Sequence, residues 1–133
     1  MMMEIPVATR ERSELVDVTS LVSKAVSQSG MTSGVVTLFV PHTTAGVTIN
    51  ENADPSVKGD MLRGLAEIAP ADRGFYRHAE GNSDAHIKAS LVGFSEHIIV
   101  KDGRLVLGTW QGIYFVEFDG PRSRRLFIKL QPD

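Results

Sequence analysis

Apolar and polar residues alternate with period two along several short stretches of this chain, which predicts β-strands. Alternation from Glu4 to Thr9 and near Leu15, on either side of a charged segment, predicts an opening hairpin or a strand followed by a loop. The runs GVVTLFVP and AGVTINE predict two strands, or one bent strand interrupted around PHTTAG. The C-terminal third predicts antiparallel strands in HIIVKDGRLVL, TWQGIYFVEF and RRLFIKL, with a hairpin turn at Asp102-Gly103.

Other stretches have the helical period, with apolar residues three or four positions apart. DVTSLVSKAVSQSG predicts a helix that ends at Gly30. A second helix is predicted from Pro55 to Pro70, with an apolar side formed by Val57, Met61, Leu62, Leu65 and Ile68. A short third helix is predicted in NSDAHIKASLVG, where Ile87 and Leu91 lie one turn apart.

The strand WQGIYFVEF is apolar in both phases, which predicts cover on both of its faces. Trp110, Tyr114, Val116 and Phe118 would lie on one face, and Ile113 and Phe115 on the other. A second sheet, a helix or another subunit could supply this cover. Strands and helices do not alternate regularly, so we predict a single α+β domain over residues 1–133, mostly antiparallel β in sandwich-like sheets, with two to three helices.

Composition narrows the classes of function. A formal net charge of −2 provides no general attraction for nucleic acid, and RSRR is too short a basic cluster to change that. The chain has no apolar run long enough to predict secretion or a membrane span, so we expect a cytoplasmic protein. Because the chain has no cysteine, a metal site would have to use histidine, carboxylate or carbonyl ligands.

Three of the four histidines lie at predicted element ends. His42 is in phase with the inward residues of its strand, and His78 and His86 flank the segment AEGNSDA. Glu51 shares the inward phase of the next strand. Together these residues fit a three-histidine metal site that keeps an open position, with Glu51 as general base or orienting group. The fourth histidine, His97, is interpreted as an ordinary strand residue.

Each of these residues also has a plain structural interpretation. His42 could simply bond a backbone carbonyl, HAEGNSD could be a solvated turn that caps a helix, and Glu51 could cap a helix or reach solvent. Arg124 is in phase with Leu126 and Ile128, so it would face a subunit interface or an anion, or extend to water from the strand end.

Three segments carry a resemblance to a known family: HTTAGVTINENADPSVKGD, HAEGNSDAHIKASLVG and LGTWQGIYFVEFDGPRSRR. With them, the chain resembles the YjbQ family from about Met3 to Leu130, a group often called secondary thiamine-phosphate synthases. The resemblance implies an α+β homotrimer in which His42, His78 and His86 cluster and bind a divalent metal such as zinc. It also matches Glu51, Gln111 and Arg124 to family positions, which makes Gln111 and Arg124 candidate substrate contacts.

The reaction that the family label names joins a pyrimidine diphosphate to a thiazole phosphate with loss of pyrophosphate. A (β/α)₈ barrel needs about 200 residues or more, so a chain of this length would have to use a different kind of site. Our leading hypothesis is a homotrimeric, metal-binding enzyme that acts on a small phosphorylated compound. Two alternatives stay open: a non-catalytic trimer with a structural metal or polar histidine cluster, and a protein that binds a small ligand without chemistry.

Overall fold

The computed structural model describes all 133 residues and contains eight strands and three helices. In chain order these are β1 Met2–Ala8, β2 Glu14–Asp17, α1 Thr19–Ser29, β3 Ser33–Phe39, β4 Ala45–Glu51, α2 Pro55–Ile68, α3 Ser83–Val92, β5 Ser95–Lys101, β6 Arg104–Leu105, β7 Gln111–Glu117 and β8 Ser123–Pro132. The predicted α+β class is confirmed. None of the three helices combines the length and the apolar character that crossing a bilayer requires.

The strands form two antiparallel sheets. The larger sheet has the order β1-β8-β3-β5-β6, and the smaller has the order β2-β7-β4. One cluster of buried side chains draws on both sheets and on α1, and it includes Val26, Leu38, Phe115 and Ile128. Burial of this apolar surface is the main force that holds the two sheets together.

The sequence left two pairings undecided, and in both cases the two segments are strands in different sheets. β1 pairs with β8 and β2 with β7, so the opening segment is a strand, a loop and a second strand rather than a hairpin. Likewise β3 and β4 belong to separate sheets, and the loop Val40–Thr44 carries the chain between them. The turn at Asp102-Gly103 is confirmed: both residues have positive φ, at 53° and 74°, as a tight hairpin turn requires.

Strand β7 is covered on both faces, as its two-phase apolar pattern predicts. Ile113 and Phe115 lie in the core between the sheets. On the other face, Tyr114 and its neighbours Val116 and Phe118 pack against α3. Trp110 departs from the prediction, because β7 begins at Gln111 and the indole is 63% exposed. The cover for this strand therefore comes from within the chain.

Helix α3 is buried on an unexpected face. Ile87 and Leu91, the predicted apolar pair, are exposed, whereas Ala85 and Ala89 are buried against β7. The alanines let the helix lie close to the sheet. Asp84 is buried on the same side of α3, paired with its neighbours Lys88 at 3.0 Å and Arg12 at 3.1 Å.

Helix α2 follows its predicted boundaries closely. Asp54 caps its N-terminus by accepting a hydrogen bond from the amide of Ser56 at 2.9 Å, and Pro55 occupies the first helical position. No side chain of α2 is buried, and Ile68 at its end is 64% exposed. The apolar side of this helix is therefore only partly covered within one chain.

Candidate functional site

A polar pocket of about 390 Å³ opens where three loops meet, and ten of its eleven lining residues are polar or charged. The loops are the β3–β4 connection, the segment before α3, and the β7–β8 connection. The lining residues are Pro41, His42, Thr43, Thr44, His78, Glu80, Asn82, His86, Asp119, Arg122 and Arg124. Four of the six residues that the sequence singled out thus share one pocket.

His42 faces this pocket but is fixed by the neighbouring strand. Its Nε2 accepts a hydrogen bond from the backbone amide of Arg125 at 2.9 Å. Burial lowers the pKa of His42 below its ordinary value, and the positive charges of Arg124 and Arg125 lower it further. A neutral imidazole that accepts at Nε2 carries its proton on Nδ1. In this arrangement neither ring nitrogen of His42 has a lone pair available for a metal.

His78 and His86 also line the pocket and form a pair. Their ring centroids are 5.3 Å apart at an interplanar angle of 82°. Gly81 has a positive φ of 70° and donates its amide to the carbonyl of His78 at 3.1 Å, which reverses the chain between the two rings. Glu80 adds a carboxylate whose Oε2 is 3.8 Å from Nε2 of His78. The segment HAEGNSDAH thus folds its two imidazoles together.

The donor set does not form a ready-made three-ligand metal site. No group of three or more histidine, aspartate or glutamate side chains stands close enough to hold one ion. The His78 and His86 pair supplies two nitrogen ligands, and His42 is held by its bond to the Arg125 amide. His97 lies away from the pocket on β5, where its Nδ1 is 3.1 Å from the hydroxyl of Thr37.

Arg124 is the most firmly held cation of the pocket. Its Nε donates to Oε1 of Glu117 at 2.8 Å, and its Nη2 donates to Oε2 of Glu117 and to Oγ1 of Thr44. Its Nη1 makes no hydrogen bond within the chain. The only buried side-chain nitrogen or oxygen without a partner is Oδ1 of Asn82, so Nη1 is accessible to solvent. Arg124 therefore offers Nη1 donors to a ligand from a fixed position.

Glu117, which fixes the guanidinium of Arg124, is a residue that the sequence analysis missed. It is 0% exposed at the end of β7 and also accepts from the hydroxyl of Thr9 at 2.7 Å and the amide of Asp119 at 3.1 Å. Burial alone would raise the pKa of Glu117, but its hydrogen bonds from Arg124, Thr9 and Asp119 and the charge of Arg124 lower it below its ordinary value. An acidic residue between Val116 and Phe118 in an apolar strand was the available signal.

A second polar network crosses the pocket from Arg122 to Glu80. The Nη2 of Arg122 donates to Oδ2 of Asp119 at 3.0 Å, and Nδ2 of Asn82 donates to the same oxygen at 2.7 Å. Burial would raise the pKa of Asp119, but the hydrogen bonds from Asn82 and Arg122 lower it overall. Asn82 Nδ2 also lies 3.4 Å from Glu80 Oε2, while its Oδ1 is buried without a partner.

Glu51 and Gln111 lie outside the pocket. They face each other in register at the far end of β4 and β7, about 20 Å along the strand from Ala45. Oε2 of Glu51 accepts from the amide of Ala53 at 3.0 Å, and Oε1 of Gln111 accepts from the amide of Gly108 at 2.7 Å. Within one chain, neither side chain can reach a ligand at His78 and His86.

The chain is similar to known proteins of one family over almost its whole length. The family model for UPF0047, YjbQ-like proteins matches residues 3–133. The protein YugU of Bacillus subtilis is 53% identical over 130 residues, which cover 98% of each chain. A UPF0047 protein of Methanocaldococcus jannaschii is 53% identical over 133 residues, covering 100% of this chain and 96% of its own.

Solved structures share the fold throughout. An uncharacterized YjbQ/UPF0047 protein of Clostridium acetobutylicum is 54% identical, covers 97% of this chain and 99% of its own, and superposes with a TM-score of 0.94. A protein of unknown function from Sulfolobus solfataricus is 34% identical, covers 100% of this chain and 97% of its own, and superposes with a TM-score of 0.95.

Proposed function

The chain belongs to the UPF0047 family of YjbQ-like proteins, and we propose that it binds a small phosphorylated compound in the polar pocket and acts on it there. The observation that carries this proposal is the fixed guanidinium of Arg124, which lines the pocket with Nη1 accessible. Arg122 lines the same pocket. Guanidinium groups match the oxygen geometry of a phosphate, and a site that holds them in place in advance loses little entropy on binding.

A divalent ion such as zinc is part of this proposal. His78 and His86 would hold it, and His42 would join them only after giving up its bond to the Arg125 amide. Such an ion polarises a phosphate oxygen or lowers the pKa of a bound water. The first reaction to test is formation of thiamine phosphate from a pyrimidine diphosphate and a thiazole phosphate.

The proposal extends to a cytoplasmic homotrimer. The partly covered apolar side of α2 and the exposed side chain of Ile68 are consistent with a subunit contact. Glu51 and Gln111 keep their predicted roles as base and substrate contact only if a neighbouring subunit brings them to the pocket, because within the chain they lie too far away. Sedimentation velocity of the purified protein tests the trimer directly.

Metal binding is tested by elemental analysis of purified His86→Ala protein. We expect His86→Ala to lose stoichiometric metal and His97→Ala to retain the wild-type content, since His97 lies outside the pocket. Equal metal content in both variants would remove the metal from the proposal.

Phosphate binding is tested by calorimetric titration with inorganic phosphate and with a panel of phosphorylated metabolites. Arg122→Gln should weaken phosphate binding about tenfold or more, because a charge-assisted hydrogen bond is lost. Arg125→Gln is the matched control, since the side chain of Arg125 pairs with Glu4 outside the pocket. Unchanged affinity in Arg122→Gln, or an equal loss in Arg125→Gln, would contradict the proposal.

A non-catalytic trimer is the second candidate, and the buried network around Glu117 favours it. The polar groups of this network hydrogen-bond to one another, which would stabilise the fold without any ligand. Its members are Glu117, Arg124, Thr9 and Thr44. This candidate predicts no turnover of any phosphorylated metabolite. Where the histidine cluster holds a structural metal, it also predicts a lower melting temperature after chelation. Binding of a phosphorylated compound without product would identify the third possibility, a ligand-binding protein.

A further inference from the structure

One face of the larger sheet has no cover within the chain. Along β1, β8, β3 and β5, alternate residues point toward the core, and the residues between them are exposed or half-buried on the other side. We call this side the outer sheet face; its apolar side chains are Met2, Val35, Phe39, Ile99 and Phe127. Val35 is paired with Ile99, and Phe39 with Phe127, so apolar side chains of neighbouring strands lie side by side. Apolar groups gathered on one exposed face mark an interaction surface.

The charges on the outer sheet face decide what kind of partner it fits. It carries the cations Arg125, Lys129, Lys101 and Arg104 and the single carboxylate of Glu4. The face is therefore basic, although the whole chain has a formal net charge of −2. Two such faces would repel each other, so this face does not fit the same face of a second copy. It fits an acidic surface that also presents an apolar side chain.

The chain itself has such a surface, at the end of the smaller sheet that lies away from the polar pocket. Strands β2 and β4 end there on either side of the start of β7. We call this end the acidic sheet end; its members are the carboxylates of Asp17, Glu51 and Asp54 and the exposed indole of Trp110. Lys58 adds one positive charge, since its Nζ lies over the ring of Tyr114 in β7. Three carboxylates around one ammonium leave this end negatively charged.

The outer sheet face continues toward the polar pocket. An apolar groove of about 310 Å³ at the end of β3 is lined by Phe39, Val40, Pro41, His42, Thr43 and Phe94. Phe39 belongs to the outer sheet face, whereas Pro41, His42 and Thr43 also line the polar pocket. A partner that covers the outer sheet face at this end therefore lies beside the polar pocket.

We propose that the outer sheet face of one copy of the chain binds the acidic sheet end of a second copy. The carboxylates of the acidic sheet end meet the arginines and lysines of the outer sheet face, and Trp110 of the partner subunit packs on its apolar side chains. Because the two surfaces differ, each copy binds one neighbour with each of them, and a closed ring such as a homotrimer results. The contact also sets Glu51 of the partner subunit beside the polar pocket, where its proposed role as base requires it.

The size of the outer sheet face is adequate for this contact. Four of its strands have seven or more residues, and at about 4.8 Å between strands and about 3.4 Å per residue they present a flat area on the order of 450 Å². Side-chain relief raises the accessible area above this value. A specific interface needs about 500 Å² from each partner as a minimum. This inference rests on the homotrimer of the proposed function and names the two surfaces that build it.

Two variants, each with one surface disrupted, test the contact by sedimentation velocity. Ile99→Glu places a carboxylate on the outer sheet face, where Ile99 is 61% exposed, and Trp110→Arg places a cation on the acidic sheet end. Each variant alone should fall from the mass of the assembly to the mass of one chain. An equimolar mixture should form a complex of two chains and no larger one, because Trp110→Arg keeps its outer sheet face and Ile99→Glu keeps its acidic sheet end. Leu21→Glu is the matched control, since Leu21 is an exposed apolar residue of α1 outside both surfaces, and it should keep the wild-type mass.

The outcomes distinguish this inference from the function on which it rests. If the wild-type protein sediments as one chain, the homotrimer fails and this inference fails with it, whereas phosphate binding in the polar pocket is measured separately. If the wild type assembles and both variants keep its mass, only this inference is overturned. It is also overturned if the two variants are single chains and remain so when mixed, because the two surfaces then do not bind each other.

Discussion

Arg124 and Glu117 form a buried ion pair that joins the polar pocket to the core, with Nε of Arg124 donating to Oε1 of Glu117 at 2.8 Å. The two residues are 6% and 0% exposed. They come from consecutive strands, β8 and β7, and Thr44 from the β3–β4 loop bonds the same guanidinium at 2.8 Å. The pair thus fixes the position of the guanidinium in the pocket and also ties three segments of the fold together.

Replacing Glu117 by glutamine should therefore destabilise the protein strongly. The substitution leaves a buried guanidinium without its counter-charge, and breaking a buried pair in this way costs about 3–5 kcal/mol. Urea denaturation measures the change in the free energy of unfolding. Glu4→Gln is the control, because Glu4 pairs with Arg125 on the surface, where such a pair contributes about 0–1 kcal/mol. Similar losses in the two variants would contradict a special role for the buried pair.

The lowered pKa of His42 predicts a pH dependence of stability. In the unfolded chain His42 takes up a proton near its ordinary pKa of 6.5, whereas burial and the charges of Arg124 and Arg125 oppose protonation in the folded state. The unfolded state therefore binds more protons in this window, so the stability from His42 is present above pH 6.5 and is lost as pH falls towards the folded-state pKa.

His42→Gln should flatten this dependence, since the glutamine oxygen can accept from the Arg125 amide without titrating. The free energy of unfolding is measured at about pH 5.5 and about pH 7.5 at constant salt, on either side of the ordinary histidine pKa. His97→Gln, which removes a histidine outside the pocket, is the matched control. A His42→Gln slope parallel to that of wild type would show that His42 does not contribute the dependence.

The pattern of apolar, polar and turn-forming residues predicted most of the secondary structure, because each helix, strand and turn is indicated by residues close together in the sequence. The Asp102-Gly103 turn, the Gly30 helix end and the two apolar phases of β7 all follow from chemistry within a few residues. The face of α3 could not be predicted in this way. Its burial depends on β7, a strand distant in sequence, against which Ala85 fits closely and Ile87 would not.

The pocket was predictable only in part for the same reason. His42, His78 and His86 were recognised by their places at element ends, and the structure brings them to one pocket. Glu117 was missed because its partner, Arg124, is defined only once β7 and β8 are folded together. The alternating pattern of β4 places Glu51 on the inward face of the strand. That pattern does not indicate at which end of the strand a site lies.

Gly46→Ala should destabilise the protein through a steric conflict between β4 and the end of α3. A Cβ at Gly46 would lie 2.5 Å from the carbonyl oxygen of Gly93 and 3.2 Å from Cγ1 of Val92. Moving α3 away to relieve this contact should cost about 1–3 kcal/mol in the free energy of unfolding. It would also shift His86, which the same helix carries.

Gly64→Ala is the matched control for Gly46→Ala. Gly64 lies inside α2, and a Cβ there would meet nothing within 4 Å. Alanine in a helix interior is favoured over glycine, so this variant should be more stable than wild type by about 0.5–1 kcal/mol. Urea denaturation of both variants gives the comparison, and changes of the same sign would contradict the packing argument.

Asn82→Asp should weaken phosphate binding by adding a negative charge to the pocket. The Nδ2 group of Asn82 donates to Oδ2 of Asp119 at 2.7 Å, and an aspartate at this position would set two carboxylates against each other. Repulsion between the two carboxylates should raise the pKa of Asp119. At neutral pH their negative charges should also repel an incoming phosphate. We expect a loss in phosphate affinity of about tenfold or more, which is the same free energy as a pKa shift of about one unit.

Calorimetric titration with inorganic phosphate measures this loss, and Asn50→Asp separates it from a general effect of charge. Asn50 is exposed on β4 and lies outside the pocket, so its replacement adds the same charge to the protein without placing it near Arg122 or Asp119. Because salt screens exposed charges beyond about 10 Å, Asn50→Asp should bind phosphate as the wild type does. Equal losses in the two variants would mean that net charge, rather than the polar pocket, governs the affinity.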